Sequence, residues 1–160
     1  MIQTTMSKMD WFLESLSITG LLAIVGLISY SYDALPTNIP THFDASGRPD
    51  ALNGKGSLLI IAIVAIFVYT IMTIAPYFPH GMNYPFQITP ENAERQHRNM
   101  ITMTRVVKPL IVLVSLYLTF AVIQNGLGKM NGLSPWFIPV EMMILLGVIA
   151  FFFIRAFKLK

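Results

Sequence analysis

The chain contains no cysteine, which excludes disulfides, thiolate metal sites and thiol nucleophiles. Charge is almost as scarce. Only 12% of the 160 residues are Asp, Glu, Lys or Arg, where a soluble domain carries about a quarter. The hydrophobic share is 54% and the mean hydropathy is +0.62. A chain this short has too little interior to hide that much apolar surface, so a soluble globular enzyme and a disordered chain are both excluded. The isoelectric point near 9.3 reflects a net charge of only +3, scattered along the chain, and nucleic acid is not an expected partner. There is no Gly-rich phosphate loop, no Ser-His-Asp order, no heptad and no internal repeat.

What the chain does have is long apolar runs. Four of them, at about 16–32, 58–77, 106–124 and 136–154, suit a hydrocarbon core that takes roughly 20 helical residues to cross. In lipid the backbone must satisfy its own hydrogen bonds, so each run is expected to be a helix. The first lacks a small-residue cleavage site and reads as a retained span rather than a signal peptide. Trp11, Tyr30, Tyr32, Tyr77, Phe78, Trp136 and Phe157 mark the span edges, where amphipathic rings favour the headgroup level. Lys8, Arg95, Arg98, Arg105, Lys108, Arg155, Lys158 and Lys160 fall on one side, and only Arg48, Lys55 and Lys129 on the other. The positive-inside rule then puts both termini in the cytoplasm. The expectation is a single all-α integral membrane domain over 1–160: four transmembrane helices in a bacterial inner membrane, with the loop 33–57 outside and the loop 78–105 inside.

The outer loop carries the most local information. Pro36 and Pro40 disfavour helix and extend their neighbours. Thr41-His42-Phe43 suits a strand, Asp44-Ala45-Ser46-Gly47 a type I turn with a left-handed glycine, and Arg48 to Leu52 a return strand. A short extracytoplasmic β-hairpin between helices 1 and 2 follows, with Ser57 as N-cap of the second span. A binding role competes with this structural one. His42, Asp44 and Asp50 are close enough in sequence to meet a cation, and Arg48 and Lys55 add positive charge. The set lacks the terminal bidentate Glu of a calcium loop and falls short of a full zinc set. No metal and no cofactor are expected.

Leu35-Pro36-x-x-Ile39-Pro40-x-His42-Phe43, then Gly47, Asp50 and Gly54-x-Gly56 around Lys55, resembles the signature of a bacterial membrane domain of unknown function. That domain also occurs in SdpI-type immunity and signalling proteins. The resemblance covers about residues 16–77. The string Asn83-Tyr84-Pro85-x-x-Ile88-Thr89-x-Glu91-Asn92-Ala93-Glu94-Arg95-Gln96 is similar to small four-helix members of the same group. The resemblance implies a polytopic immunity protein that can hold a repressor at the membrane.

In the inner loop, Thr89 as N-cap, Pro90 at the first helical position and Glu91 in the first turn predict a helix running on toward the third span, where Pro109 could bend it. Glu91 with Arg95 and Glu94 with Arg98 are i, i+4 pairs. These four residues are either a solvated face or a dock for a cytoplasmic partner. Glu141 lies inside the fourth apolar run, where a carboxylate is costly and marks a functional candidate by default. Lys129, Gln124, Asn125, Ser29 and Ser31 are its possible partners at that depth. The expected function is non-enzymatic: an accessory, immunity or signalling protein recognising a protein or ligand at the outer surface through His42, Asp44, Arg48, Asp50 and Lys55. The bilayer, a membrane protein or second copy, and a cytoplasmic protein are its candidate partners. The alternative is a small-molecule or ion-handling protein or enzyme built on Glu141 with His42.

Overall fold

The computed structural model describes residues 6–78 and 81–160; Pro79 and His80, at the start of the expected inner loop, lie outside the described residues. Among the described residues four helices are long and apolar enough to cross a membrane, and the protein is a multi-pass membrane protein. In chain order they are α1 (Lys8–Ser31), α2 (Ser57–Ile74), α3 (Ala93–Gly126) and α4 (Phe137–Lys158). Between α1 and α2 lies an antiparallel hairpin of β1 (Asn38–Phe43) and β2 (Pro49–Gly54). Asp10 near the start of α1 bonds Arg105 of α3, and Gln96 near the start of α3 bonds Ala156 near the end of α4. The start of α1 and the end of α4 therefore lie at one end of the bundle, and the hairpin at the other.

Local chemistry moves several boundaries. α1 starts at Lys8, well before the apolar run at 16, because Ser7 and Asp10 form a reciprocal capping box that satisfies orphan backbone donors. The N-cap of α2 is Gly56, not Ser57, whose hydroxyl instead donates to the Gly54 carbonyl at 2.8 Å. α3 starts at Ala93 rather than at Pro90: the Asn92 side chain accepts from the Thr89 N–H at 2.9 Å and holds residues 89–92 as a turn. From there α3 runs unbroken through Pro109 to Gly126, joining the inner helix and the third span in one element.

α3 is the axle. Against it α1 packs at Gly20, where a Cβ would come within 2.6 Å of the Val112 side chain. At the hairpin end an apolar core joins Ile24 and Ile28 of α1, Leu58, Ala62 and Ala65 of α2, and Val122 and Ile123 of α3, with Leu35 and Ile39 from the hairpin segment. Nearer the termini the contact is ionic. Lys108, 4% exposed, pairs with Glu14 of α1. The Tyr69 hydroxyl of α2 donates to the same carboxylate at 2.5 Å, and the Lys108 ammonium donates to Thr73 at 3.1 Å and lies 4.8 Å from the Tyr69 ring centre. Three helices thus meet on one charge-neutral pair. Of α4, by contrast, only Phe152 and Ala156 are buried.

Removing one partner of a buried ion pair leaves a stranded charge at a cost of about 3–5 kcal/mol, whereas replacing both with apolar groups is close to neutral. Lys108→Met should therefore destabilise the protein by that order, and Glu14→Leu combined with Lys108→Met should recover most of the loss. Unfolding in bicelles across the double-mutant cycle measures this; strictly additive losses would refute the pairing.

Candidate functional site on the hairpin

The hairpin is fixed to the bundle at three places. The first is the end of α3: Ile39 is fully buried, and a Cβ on Gly126 would meet the Ile39 and Leu35 side chains at 2.8 Å. The second is the connector before α4. Gly47 takes φ +81°, the Leu133 N–H donates to its carbonyl at 2.7 Å, and Gly132, at φ +93°, lies directly against it. Asn125 holds that connector by accepting from the Gly132 N–H at 2.5 Å. The third is the end of α1, where Lys55 donates to the Tyr32 carbonyl at 2.9 Å and sits 4.6 Å over the Tyr32 ring. A cation there meets carbonyls that a helix C-terminus leaves without partners. Lys55 thus anchors the hairpin to the end of α1.

Asp44 organises the turn. Its carboxylate accepts from the Ser46 hydroxyl at 2.6 Å, from the Ser46 and Arg48 backbone N–H groups at 2.8 and 2.9 Å, and from the Arg48 guanidinium at 3.0 Å. The Gly47 N–H returns to the Asp44 carbonyl at 2.8 Å. The Ser46 hydroxyl, followed by the Arg48 backbone N–H, holds the Asp44 carboxyl well below the usual carboxylate range. Across the strands, His42 Nδ1 lies 2.5 Å from Asp50. The two pairs leave most of Arg48 and His42 in the open, with 79% and 70% of their side chains exposed. Exposed pairs of this kind contribute little to stability. No nucleophile is bonded to His42, and among the described residues no group of three or more His, Asp or Glu side chains converges. The surface presents exposed groups of both signs, which can recognise charge and shape.

The other sequence candidates are dispersed. Glu141 sits one turn into α4, and none of Lys129, Gln124, Asn125, Ser29 or Ser31 bonds it; among the described residues it has no partner. Glu94 and Arg98 pair at 2.9 Å on the exposed face of α3, but Glu91 and Arg95 form no ion pair there. Glu91 lies before the helix, and the Thr89 hydroxyl holds its carboxyl below the usual range. Arg95 and Arg98 border a hollow with Arg155. The sequence reading missed Glu14, Tyr69 and Thr73. Their signal was weak: Glu14 precedes the uncharged run, and Lys108, the one charge in the third run, had no partner identifiable by spacing.

The family described as Domain of unknown function (DUF1648) matches residues 18–68, which covers most of α1, the whole hairpin and most of α2. An uncharacterized protein of Archaeoglobus fulgidus is 30% identical over 105 residues, covering 59% of this chain and 57% of that protein. The chain thus spans under two thirds of that relative's length. No solved structure matches.

Two tests follow from the turn. Gly47→Val should loosen the hairpin, because an L residue at positive φ costs about 1–2 kcal/mol and its Cβ would meet the Leu133 carbonyl oxygen at 2.5 Å. Amide exchange at Leu133 should rise with it. The acid response has a definite sign. The folded Asp44 value lies below its ordinary 3.8, so its contribution is complete above that pH and is lost as pH falls below it toward the folded value. Exchange at the Ser46 and Arg48 amides should stay slow down to that pH and rise beneath it, and Asp44→Asn should make it fast throughout.

Proposed function

We propose that this is a non-enzymatic accessory protein of the bacterial inner membrane, acting in immunity or signalling, that recognises a protein or ligand at the outer surface through its hairpin. The observation that carries the reading is the contrast within the hairpin. Its backbone is anchored to α1, α3 and the α3–α4 connector, while His42 and Arg48 project from it with their side chains largely open and Asp50 partly so. A preorganised frame of that kind loses little entropy when a partner docks. The excess of Lys and Arg at the terminal end supports cytoplasmic termini and an outer hairpin. The likeness of the hairpin motif to SdpI-type proteins supports the immunity or signalling class. Glu91, Glu94, Arg95 and Arg98 would then form the cytoplasmic dock.

A second reading draws on Glu141. A carboxylate without a partner on a helix exposed along most of its length is costly against lipid. A second copy of the chain or another membrane protein that covers it, or an ion or small molecule that it binds, would relieve that cost.

The topology is tested by single cysteines. Ser46→Cys should react with a membrane-impermeant thiol reagent in intact cells and Asn92→Cys should not; the opposite pattern would overturn the outer assignment. Recognition is tested by a photo-crosslinking residue at the exposed Ala51 position in native membranes. A single discrete adduct is expected, and His42→Gln, which leaves the Asp44 turn in place, should weaken it. An adduct indifferent to His42→Gln would count against the hairpin as the recognition surface.

A further inference from the structure

At the terminal end of the bundle, α3 and α4 border a hollow of about 240 Å³ lined by Glu94, Arg95, Arg98, Arg155 and Leu159. Arg95 and Arg98, three residues apart, share one face of α3, and Arg155 comes from the last turn of α4. Two buried amides bring these cations together. Gln96, next to Arg95, donates to the carbonyl of Ala156, next to Arg155, at 2.9 Å, and Asn99, next to Arg98, donates to the Phe152 carbonyl at 3.0 Å. The fold thus holds three guanidinium groups around one hollow. The single carboxylate there, Glu94, is already paired with Arg98 at 2.9 Å. The side chains of Arg95 and Arg155 make no ion pair or hydrogen bond among the described residues. Like charges gathered in this way repel one another, and an anion between them turns that cost into attraction.

We propose that the hollow binds one phosphate group, borne by an anionic membrane lipid. Guanidinium groups present paired N–H donors that match phosphate oxygens, and basic pockets between membrane helices favour lipid phosphate. The position selects a lipid over a soluble phosphate ester. Arg155 stands where the apolar span of α4 ends, at the headgroup level. Ile154 and Phe157, beside it in the chain, are exposed apolar surface on which acyl chains can lie, and Leu159 adds an apolar contact within the hollow. Two cations without a carboxylate of their own call for a headgroup of net negative charge, since a zwitterionic headgroup brings its own cation to the site. The inference rests neither on the hairpin's role nor on which side of the membrane the termini face.

The test uses the full-length protein in a neutral detergent, with dioctanoylphosphatidylglycerol as the probe. At about tenfold over its Kd the lipid should raise the unfolding temperature by about 3–6 °C, and the shift should shrink as salt is added. Dioctanoylphosphatidylcholine at the same concentration should give less than half that shift, and glycerol phosphate, a soluble source of the same group, none. Arg155→Gln and Arg95→Gln should each cut the shift by at least half without lowering the unfolding temperature of the lipid-free protein, since neither side chain has a partner to lose. Lys8→Gln removes an equal charge at the same end of the bundle, from the exposed first residue of α1, and should keep the shift. Equal shifts with the two lipids, an equal shift with glycerol phosphate, or an equal loss in Lys8→Gln and Arg155→Gln would each overturn the proposal. No shift with the wild-type protein would also overturn it and leave the hollow to a protein partner.

Discussion

A lysine within a lipid-spanning helix has to meet a carboxylate, and the arrangement of α1, α2 and α3 follows from Lys108 meeting Glu14. Either charge alone in hydrocarbon is costly. Together, with Tyr69 donating to the carboxylate and Thr73 accepting from the ammonium, they form a neutral, hydrogen-bonded unit. Lipid chains are as apolar as leucine, so no hydrophobic force sorts the helices once inserted. A three-helix polar contact supplies what the hydrophobic effect does not: it sets which faces of α1, α2 and α3 meet. Gly20 against Val112 then brings the α1 and α3 backbones close, and the apolar core of Ile24, Ile28, Ala65 and Val122 fills the remainder toward the hairpin.

That order carries through to the hairpin. Since α1 and α3 are held together, the Tyr32 carbonyl, Gly126 and the α3–α4 connector end up around one hollow, and the hairpin fills it. The sequence signature reads as the contact list of this fit. Leu35 and Ile39 are the buried plugs, Lys55 caps the end of α1, and Gly47 turns where its own carbonyl meets Leu133. His42 and Asp50 are titratable members of the signature whose side chains form no bond with the bundle helices among the described residues. They pair with each other in the open.

The spans were legible because bilayer thickness and apolar run length are the same measurement. The hairpin was legible because Asp44-Ala45-Ser46-Gly47 encodes its turn in four consecutive residues, and Gly47 does take the left-handed conformation. Cap positions were less so. Ser57 and Thr89 have the chemistry of caps, yet Ser57 bonds back to Gly54 and the residues from Thr89 form a turn closed by Asn92. The ionic centre was not legible at all. Glu14 and Lys108 are far apart in the chain, and no periodicity links a carboxylate near the start of one helix to an ammonium within another. Gly132 was equally silent, since its need for a bare Cα arises from Gly47 of the hairpin. Residues whose role is set by their own neighbours in sequence could be read; those whose role is set by a distant element could not.

The same distinction separates α4 from the rest. It contributes to neither the ionic centre nor the hairpin-end core. Two amides of α3, Gln96 and Asn99, hold its carbonyls near one end, and Tyr117 meets Phe137 with ring centres 4.1 Å apart at the other. Side-chain hydrogen bonds between membrane helices contribute only about 0.6–2 kcal/mol each, so α4 is the helix least firmly fixed by the chain itself. It also carries Glu141, with no partner among the described residues, and Arg155, which borders the hollow of Arg95 and Arg98. Among the described residues, the buried side-chain atoms left unmet, His97 Nδ1 and Asn99 Oδ1, lie on α3, Asn99 where α3 packs against α4. With only Phe152 and Ala156 buried, α4 presents most of its surface to whatever lies beside it in the membrane.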